Sequence, residues 1–289
     1  MSPVVDLVGA ALAGIIALAA WRAHALTRGG AVAAFVVGTL TFAGGQLGFT
    51  LLLLAFFVPS VLLSRRGRER KRAMTDAGKH GPRDAMQVLA NGGVAALCAL
   101  LYAITHEFRW VWAFAGALAA ATADTFATEI GTLADGPPRS ILSGRPIARG
   151  LSGGVTLAGT AAEIGGALWI GFATIALEIV SIARRGGASP HATIAMPAAL
   201  GRSELGGVAI VIAALAIPIA GIAGATLDSV LGATLQELRR CDACGRACET
   251  DPHACGGRTT LVRGVRGVTN DLVNVAATAA GAVVAFGLA

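Results

Sequence analysis

The chain has 289 residues, 55% hydrophobic and only 14% charged, with 39 glycines, a net charge of +6 and a mean hydropathy of +0.69. A soluble domain carries roughly 25% charged residues, so this composition excludes a water-covered globular enzyme and a disordered chain alike. The apolar runs are continuous and rich in Ala, Leu, Val and Gly rather than alternating, which also excludes a transmembrane barrel. The expectation is an all-α, polytopic integral membrane protein that forms a single membrane domain over 1–289.

With roughly 20 apolar residues needed for each crossing, eight spans are predicted in chain order. They are Val4–Trp21, Ala31–Ala43, Leu47–Leu63, Ala85–Thr105, Trp110–Gly131, Gly153–Ala183, Leu205–Thr226 and Val268–Leu288. The first is read as a retained helix, because its only charge is Asp6 and it has no basic n-region. Ala31–Ala43 is short and runs into Gly44 and Gly45, which marks a broken or re-entrant element, and Ser229–Leu235 reads as a half-helix. Arginine and lysine bias loops toward the cytoplasm. The cluster Arg65, Arg66, Arg68, Arg70, Lys71, Arg72, Lys79 and Arg83 therefore lies inside, together with Arg22–Arg28, Leu133–Ser152 and a Cys-rich loop at 236–267. The loop from Arg184 to Arg202 dissents, with three arginines on the outer side. This topology fits the inner or plasma membrane of a prokaryote. The basic excess suits anionic lipid headgroups, and with one Tyr and no basic face interleaved with aromatics, nucleic acid is not an expected partner.

Ionisable residues within or beside spans are costly, so each is a functional candidate. Asp84, Gln87 and Asn91 share a helix face by their spacing. Asp124 and Thr128 share another, with Glu129 roughly 140° around from Asp124. Asn270, Asp271 and Asn274 form a polar face at the start of the last helix, and Asp228 begins the half-helix. Four aspartates, Asp84, Asp124, Asp228 and Asp271, are thus predicted at one membrane depth. Clustered carboxylates repel unless protons or cations lie between them, and magnesium suits Asp and Asn oxygens where phosphates complete its shell. The run Arg149-Gly150-Leu151-Ser152-Gly153-Gly154 could present backbone amides to an anion, with Arg139, Arg145 and Arg149 adding guanidinium contacts. Plainer readings stand beside these: Asp84 and Asp271 as helix N-caps, Gly165 and Gly166 as packing residues, and Glu163 as a buried hydrogen-bonded acid.

Cys241, Cys244, Cys248 and Cys255, with His253, lie in one polar loop; a C-x2-C pair followed by further Cys and His is the spacing of a structural zinc site. No G-x-x-x-x-G-K-[ST], G-x-S-x-G or H-E-x-x-H string occurs, which removes P-loop, serine-hydrolase and zincin readings.

Five ordered segments carry a resemblance. They are Arg83–Gly93 (RDAMQVLANGG), Ala123–Gly131 (ADTFATEIG), Ser152–Val155 (SGGV), Leu227–Gln236 (LDSVLGATLQ) and Asn270–Asn274 (NDLVN). Together they resemble the integral-membrane family known as domain of unknown function ninety-two, whose members include animal transmembrane protein nineteen and the plant chloroplast phytyl-phosphate kinase. The resemblance implies phosphoryl transfer from a nucleoside triphosphate, with CTP the expected donor, to a prenyl monophosphate such as phytyl or geranylgeranyl phosphate, giving the diphosphate. Asp124, Asp228 and Asp271 would hold magnesium. Asp84, Gln87, Asn91, Thr128, Glu129, Arg149, Ser152, Gly153, Gly154, Asn270 and Asn274 would contact nucleotide or acceptor. Leu151 stands where a small hydroxyl residue is expected. Two other classes remain open: a CDP-lipid-type cytidylyltransferase, which would release pyrophosphate, and a transporter of an ion or phosphorylated solute.

Overall fold

The computed structural model of the protein describes residues 3–67, 69, 81–185 and 206–289. Arg68, Arg70, Lys71, Arg72 and Lys79 of the basic cluster, and most of the loop from Arg184 to Arg202, lie outside the described residues. Seven helical elements are present among those described: α1 (Pro3–Arg22), α2 (Arg28–Arg65), α3 (Ala85–Thr105), α4 (Arg109–Gly131), α5 (Leu157–Arg185), α6 (Gly206–Thr234) and α7 (Asn270–Leu288). Six of them, all but α4, are long and apolar enough to cross a bilayer.

The expected count of eight separate spans is corrected at the second element. Ala31–Ala43 and Leu47–Leu63 are two limbs of α2, interrupted where Gly45 (φ −136°, ψ 18°) and Gln46 (φ 50°, ψ −139°) leave helical geometry. A straight helix of 38 residues would run roughly 57 Å at 1.5 Å per residue. Instead, an Arg65 guanidinium N–H at its far end donates to the Ala23 carbonyl (2.5 Å), just before the Thr27 N-cap at its near end. The chain therefore reverses at Gly45–Gln46. Close packing admits the reversal, because a Cβ on Gly44 would strike the Ala99 carbonyl of α3. The expected half-helix at Ser229–Leu235 is likewise not separate; α6 runs through to Thr234 without a break.

α4 is the axis of the bundle. Every residue from Val111 to Ala123 is buried, and α3, α5, α6 and α7 all pack on it. A helix apolar all round belongs in such a centre. Small residues set the spacing: a Cβ on Gly116 of α4 would meet the Gly281 carbonyl of α7, and one on Gly224 of α6 would meet Ala120 and the Ala277 carbonyl. Such contacts let helix backbones approach where the surrounding solvent gives no hydrophobic drive.

The α1–α2, α4–α5 and α6–α7 connections and the start of α3 gather at one end. Arg83 N–H donates to the Ala25 carbonyl and Thr27 N–H to the Arg83 carbonyl, which joins the α1–α2 turn to the start of α3. The α4–α5 connection forms a two-stranded ribbon, β1 (Arg139–Ser140) with β2 (Gly154–Val155). The α6–α7 connection forms a three-stranded antiparallel sheet in the order β4-β3-β5, from β3 (Leu238–Cys241), β4 (Ala247–Cys248) and β5 (Thr259–Arg263). A purely helical expectation misses these strands. The strands are two to five residues long, and the longest, Thr259–Arg263, has no alternating burial, so no period of two stands out in the sequence.

Candidate functional site: an acidic cavity and a cysteine-histidine cluster

A polar cavity of about 570 Å³ opens among the connections and the adjoining ends of α3, α4, α5, α6 and α7. Asp124, Thr128 and Glu129 reach it from the last turns of α4, Asp228 from α6, and Asn270, Asp271 and Asn274 from the first turns of α7. Asp124 and Glu129 both line it despite their angular separation, because the cavity wraps around the end of α4. Gln87 and Asn91 enter from α3. The acids come from well-separated parts of the chain because successive helices alternate in direction and so bring alternate helix ends to one level.

Asp84 is not in the lining and is corrected to a helix cap. Its carboxylate accepts from the Gln87 backbone N–H (2.9 Å) while the Gln87 side chain accepts from the Asp84 backbone N–H (3.0 Å), a complete capping box. Asp84→Ala is expected to cost about 1 kcal/mol of stability. Thermal melting in detergent should show a modest drop, with any activity of the cavity retained.

The glycine-rich run also differs from expectation. Ser152 gives its backbone N–H to Glu249 (2.7 Å) and its hydroxyl to the same carboxylate (3.0 Å), and Gln236 Nε2 donates to both Ser152 Oγ and Glu249 (2.8 Å each). The backbone amide expected to meet a phosphate is held by an internal carboxylate. Gly153 has φ +81°, and a Cβ there would strike Ala233 of α6, so that glycine serves a close approach of loop to helix. Arg149 lines the cavity, but its guanidinium donates to the carbonyls of Thr132 (3.1 Å), Ala134 (2.6 Å) and Gly136 (2.5 Å). It fastens the C-terminal end of α4, where carbonyls lack helical partners. The expected helix start at Gly153 moves to Leu157, with Thr156 Oγ1 accepting from Gly159 N–H (2.9 Å).

Several lining groups fall outside the expected set. Glu163 of α5 is 9% exposed and accepts from Thr226 Oγ1 (3.2 Å); Glu237, Glu249, Asp251 and Arg83 also line the cavity. Glu163, which its spacing with Thr156 and Thr160 singles out in the sequence, has the burial and the hydrogen bond of the plainer reading given for it. Glu249 had no signal, since only the folded sheet carries it to Ser152. Burial raises the Glu249 carboxyl above the usual range, and the hydrogen bonds from Ser152 oppose that shift.

Eight carboxylates thus face two guanidinium groups, Arg83 and Arg149, and Arg149 is engaged by carbonyls. Asp228 is 9% exposed with its Oδ2 lacking a hydrogen-bond partner among the described residues, and Asp271 is 7% exposed. A buried carboxylate oxygen without a partner is costly, and a bound cation would satisfy it. The oxygen chemistry of this lining is of the kind a hard divalent ion takes, but among the described residues no three of these carboxylates bring ligand atoms within 4.8 Å of one another. Burial lowers the pKa of Arg83, while the charges of Glu129 and Asp124 oppose the shift.

A metal-type cluster lies in the α6–α7 sheet. Cys241, Cys244, His253 and Cys255 place one ligand atom each within 4.8 Å of all the others. The Sγ atoms of Cys241 and Cys255 are 3.5 Å apart, those of Cys244 and Cys255 are 3.9 Å apart, and His253 Nδ1 stands 3.1 Å from Cys255 Sγ. Zinc–sulfur bonds of about 2.3 Å in a tetrahedron give edges of about 3.8 Å, so the set fits zinc. The backbone amide of Cys244 foremost draws the Cys241 thiol below its usual range, toward the thiolate that a metal needs. Cys248, expected among the ligands, is corrected: it is fully buried and its thiol points to the Thr250 carbonyl (3.6 Å).

Residues 11–282 match the family described as integral membrane protein DUF92. Protein PGR of Arabidopsis thaliana is 29% identical over 240 residues, covering 78% of this chain and 77% of that protein. An uncharacterized membrane protein of Methanocaldococcus jannaschii is 34% identical over 160 residues, covering 54% of this chain and 65% of its own length. An uncharacterized membrane protein of Synechocystis is 32% identical over 209 residues, covering 70% and 69% respectively. No solved structure matches the chain.

Proposed function

The chain belongs to the DUF92 integral-membrane family, and from that premise we propose that it is a lipid-phosphate kinase. In this reading it moves a phosphoryl group from a nucleoside triphosphate, CTP by the resemblance, to a prenyl monophosphate such as phytyl or geranylgeranyl phosphate. The observation that carries it is the carboxylate set of Asp228, Asp271 and Glu163, all buried, with the partly buried Asp124, in one cavity at one end of the bundle.

Asp124, Asp228 and Asp271 would hold magnesium, which would supply neutralisation of charge on the polyphosphate. Phosphoryl transfer asks little covalent work of a protein and much positioning. Asn91, Asn270 and Asn274 offer amides to orient oxygens, and Thr128 adds a hydroxyl. The acceptor is already an anion, so no side chain need remove a proton: an acceptor oxygen bonds to the terminal phosphorus as the bond to the leaving nucleoside diphosphate breaks. Glu249 and Arg149 act as positioning residues, holding Ser152 and the end of α4 in place. The basic Arg65 and Arg66 at the cavity end orient that end toward the cytoplasm.

Purified protein with magnesium, terminally labelled CTP and geranylgeranyl phosphate should yield labelled diphosphate on thin-layer chromatography. Release of labelled pyrophosphate would instead identify a cytidylyltransferase, and the absence of any labelled lipid would overturn the kinase reading.

A further inference from the structure

The sulfurs of the cysteine-histidine cluster are closely paired and unequally exposed. Cys255 Sγ lies 3.5 Å from Cys241 Sγ and 3.9 Å from Cys244 Sγ, so it is common to both close pairs. Cys244 and Cys255 are exposed, whereas Cys241 is buried. Space is left beside the closer pair at Gly257, where a Cβ would stand 2.8 Å from Cys241 Sγ and 3.4 Å from Cys255 Sγ. A small oxidant therefore reaches Cys255 from solvent, with Cys241 directly behind it. An exposed sulfur with a neighbouring thiol to resolve it is the arrangement of a reversibly oxidised site, and metal coordination keeps such sulfurs as thiolates.

The same cluster brackets the segment that reaches the acidic cavity. Cys244 and His253 are nine positions apart, with 3.5 Å between Sγ and Nδ1, and Glu249 lies between them. An ion on those two ligands would close the segment into a short loop. The loop presents the Glu249 carboxylate to the Ser152 backbone N–H (2.7 Å), the Ser152 hydroxyl (3.0 Å) and Gln236 Nε2 (2.8 Å). Glu249 and Ser152 both line the cavity.

We propose that the cluster is a peroxide-responsive modification site, in which a disulfide between Cys255 and Cys241 expels zinc and frees Glu249 from Ser152. The Cys255 thiolate attacks one oxygen of hydrogen peroxide, and the O–O bond breaks. Sulfenic acid forms, and the displaced hydroxide takes a proton from solvent. The Cys241 thiolate then attacks the Cys255 sulfur; the S–S bond forms as the S–O bond breaks, and the second hydroxide is also protonated. The two sulfurs lose two electrons in all and peroxide becomes two waters. The sulfurs close from 3.5 Å to the roughly 2.05 Å of a disulfide. Two of the four ligands are consumed, so Cys244 and His253 no longer hold an ion, and the loop that carries Glu249 opens. Thiol reductants reverse the bond, which suits a transient switch in a reducing compartment. The switch rests on the zinc assignment and is independent of phosphoryl transfer.

The test is zinc release from the full chain in detergent, read by a chromogenic chelator as hydrogen peroxide is added. Zinc release should accompany loss of titratable thiol and the appearance of a Cys241–Cys255 disulfide in peptide mass mapping. Amide hydrogen exchange of the peptide containing Ser152 should quicken about tenfold or more, the scale of a lost hydrogen bond to a charged acceptor, and dithiothreitol with zinc should restore it. Glu249→Ala should exchange fast at Ser152 from the start, with no further change on oxidation. Cys248→Ser should respond as the native chain does. Zinc retained in a large excess of peroxide, sulfinic acid in place of the disulfide, or a disulfide that leaves Ser152 exchange unchanged would overturn the proposal. A native protein free of zinc removes the metal assignment and the switch together. A switch that behaves as expected in a protein that makes no lipid diphosphate removes the kinase reading alone.

Discussion

Asp228→Asn and Asp124→Asn are each expected to lower diphosphate formation by at least about a hundredfold, the scale of losing several kcal/mol of charge stabilisation around a polyphosphate. Both substitutions keep side-chain volume and remove a charge. Asp228 already has one buried oxygen without a partner among the described residues, so the asparagine places no larger burden on the fold than the carboxylate does. Melting in detergent should therefore hold or rise slightly while turnover falls. Asp84→Ala has the opposite profile, since its carboxylate caps α3 outside the cavity. Turnover retained by both Asp228→Asn and Asp124→Asn would remove these acids from the reaction.

Loss of the cysteine-histidine metal should be nearly as damaging, through a different route. Cys241, Cys244, His253 and Cys255 lie in the β3–β4 turn and the segment leading to β5, so an ion there would organise a sheet too small to bury a core of its own. Small zinc modules draw roughly 10–16 kcal/mol of folding free energy from the metal. Without it, Glu249 would lose the support that carries its carboxylate to Ser152 and Gln236. Elemental analysis should find a zinc ion per chain in the native protein and none in Cys255→Ser. That variant should also be cut by protease within 236–267 and show reduced turnover. Cys248→Ser should retain the zinc, because its thiol faces the Thr250 carbonyl rather than the cluster. Zinc absent from the native protein, or lost equally from Cys248→Ser, would contradict the assignment.

The bundle is largely legible in the sequence because long apolar stretches have few alternatives in a bilayer, and the acids at their ends follow once the spans alternate. Asp124, Asp228 and Asp271 are therefore found by counting, and all three line the cavity. What escapes is whatever depends on contact between remote segments. Gly45–Gln46 reads as a break, but only the Arg65–Ala23 hydrogen bond reveals that the chain turns back there. The Arg149-to-Gly154 run has the composition of an anion loop, yet Arg149 holds carbonyls at the end of α4, Ser152 holds Glu249, and Gly153 admits α6. Cys spacing suggests five ligands where geometry gathers four, because sequence separation does not report which way the β4 strand turns Cys248. Arg83 appears in the sequence as one of a basic cluster; its place in the lining of the acidic cavity is a property of packing alone.

The central claim is that distant carboxylates converge to hold a divalent cation that carries polyphosphate. Manganese titration of the zinc-loaded protein, read by electron paramagnetic resonance of the free ion, tests it most directly. The account predicts saturable manganese binding that tightens when CTP is added and disappears in the Asp124→Asn, Asp228→Asn double variant. Binding unchanged by that double variant, or no binding with CTP present, would contradict it.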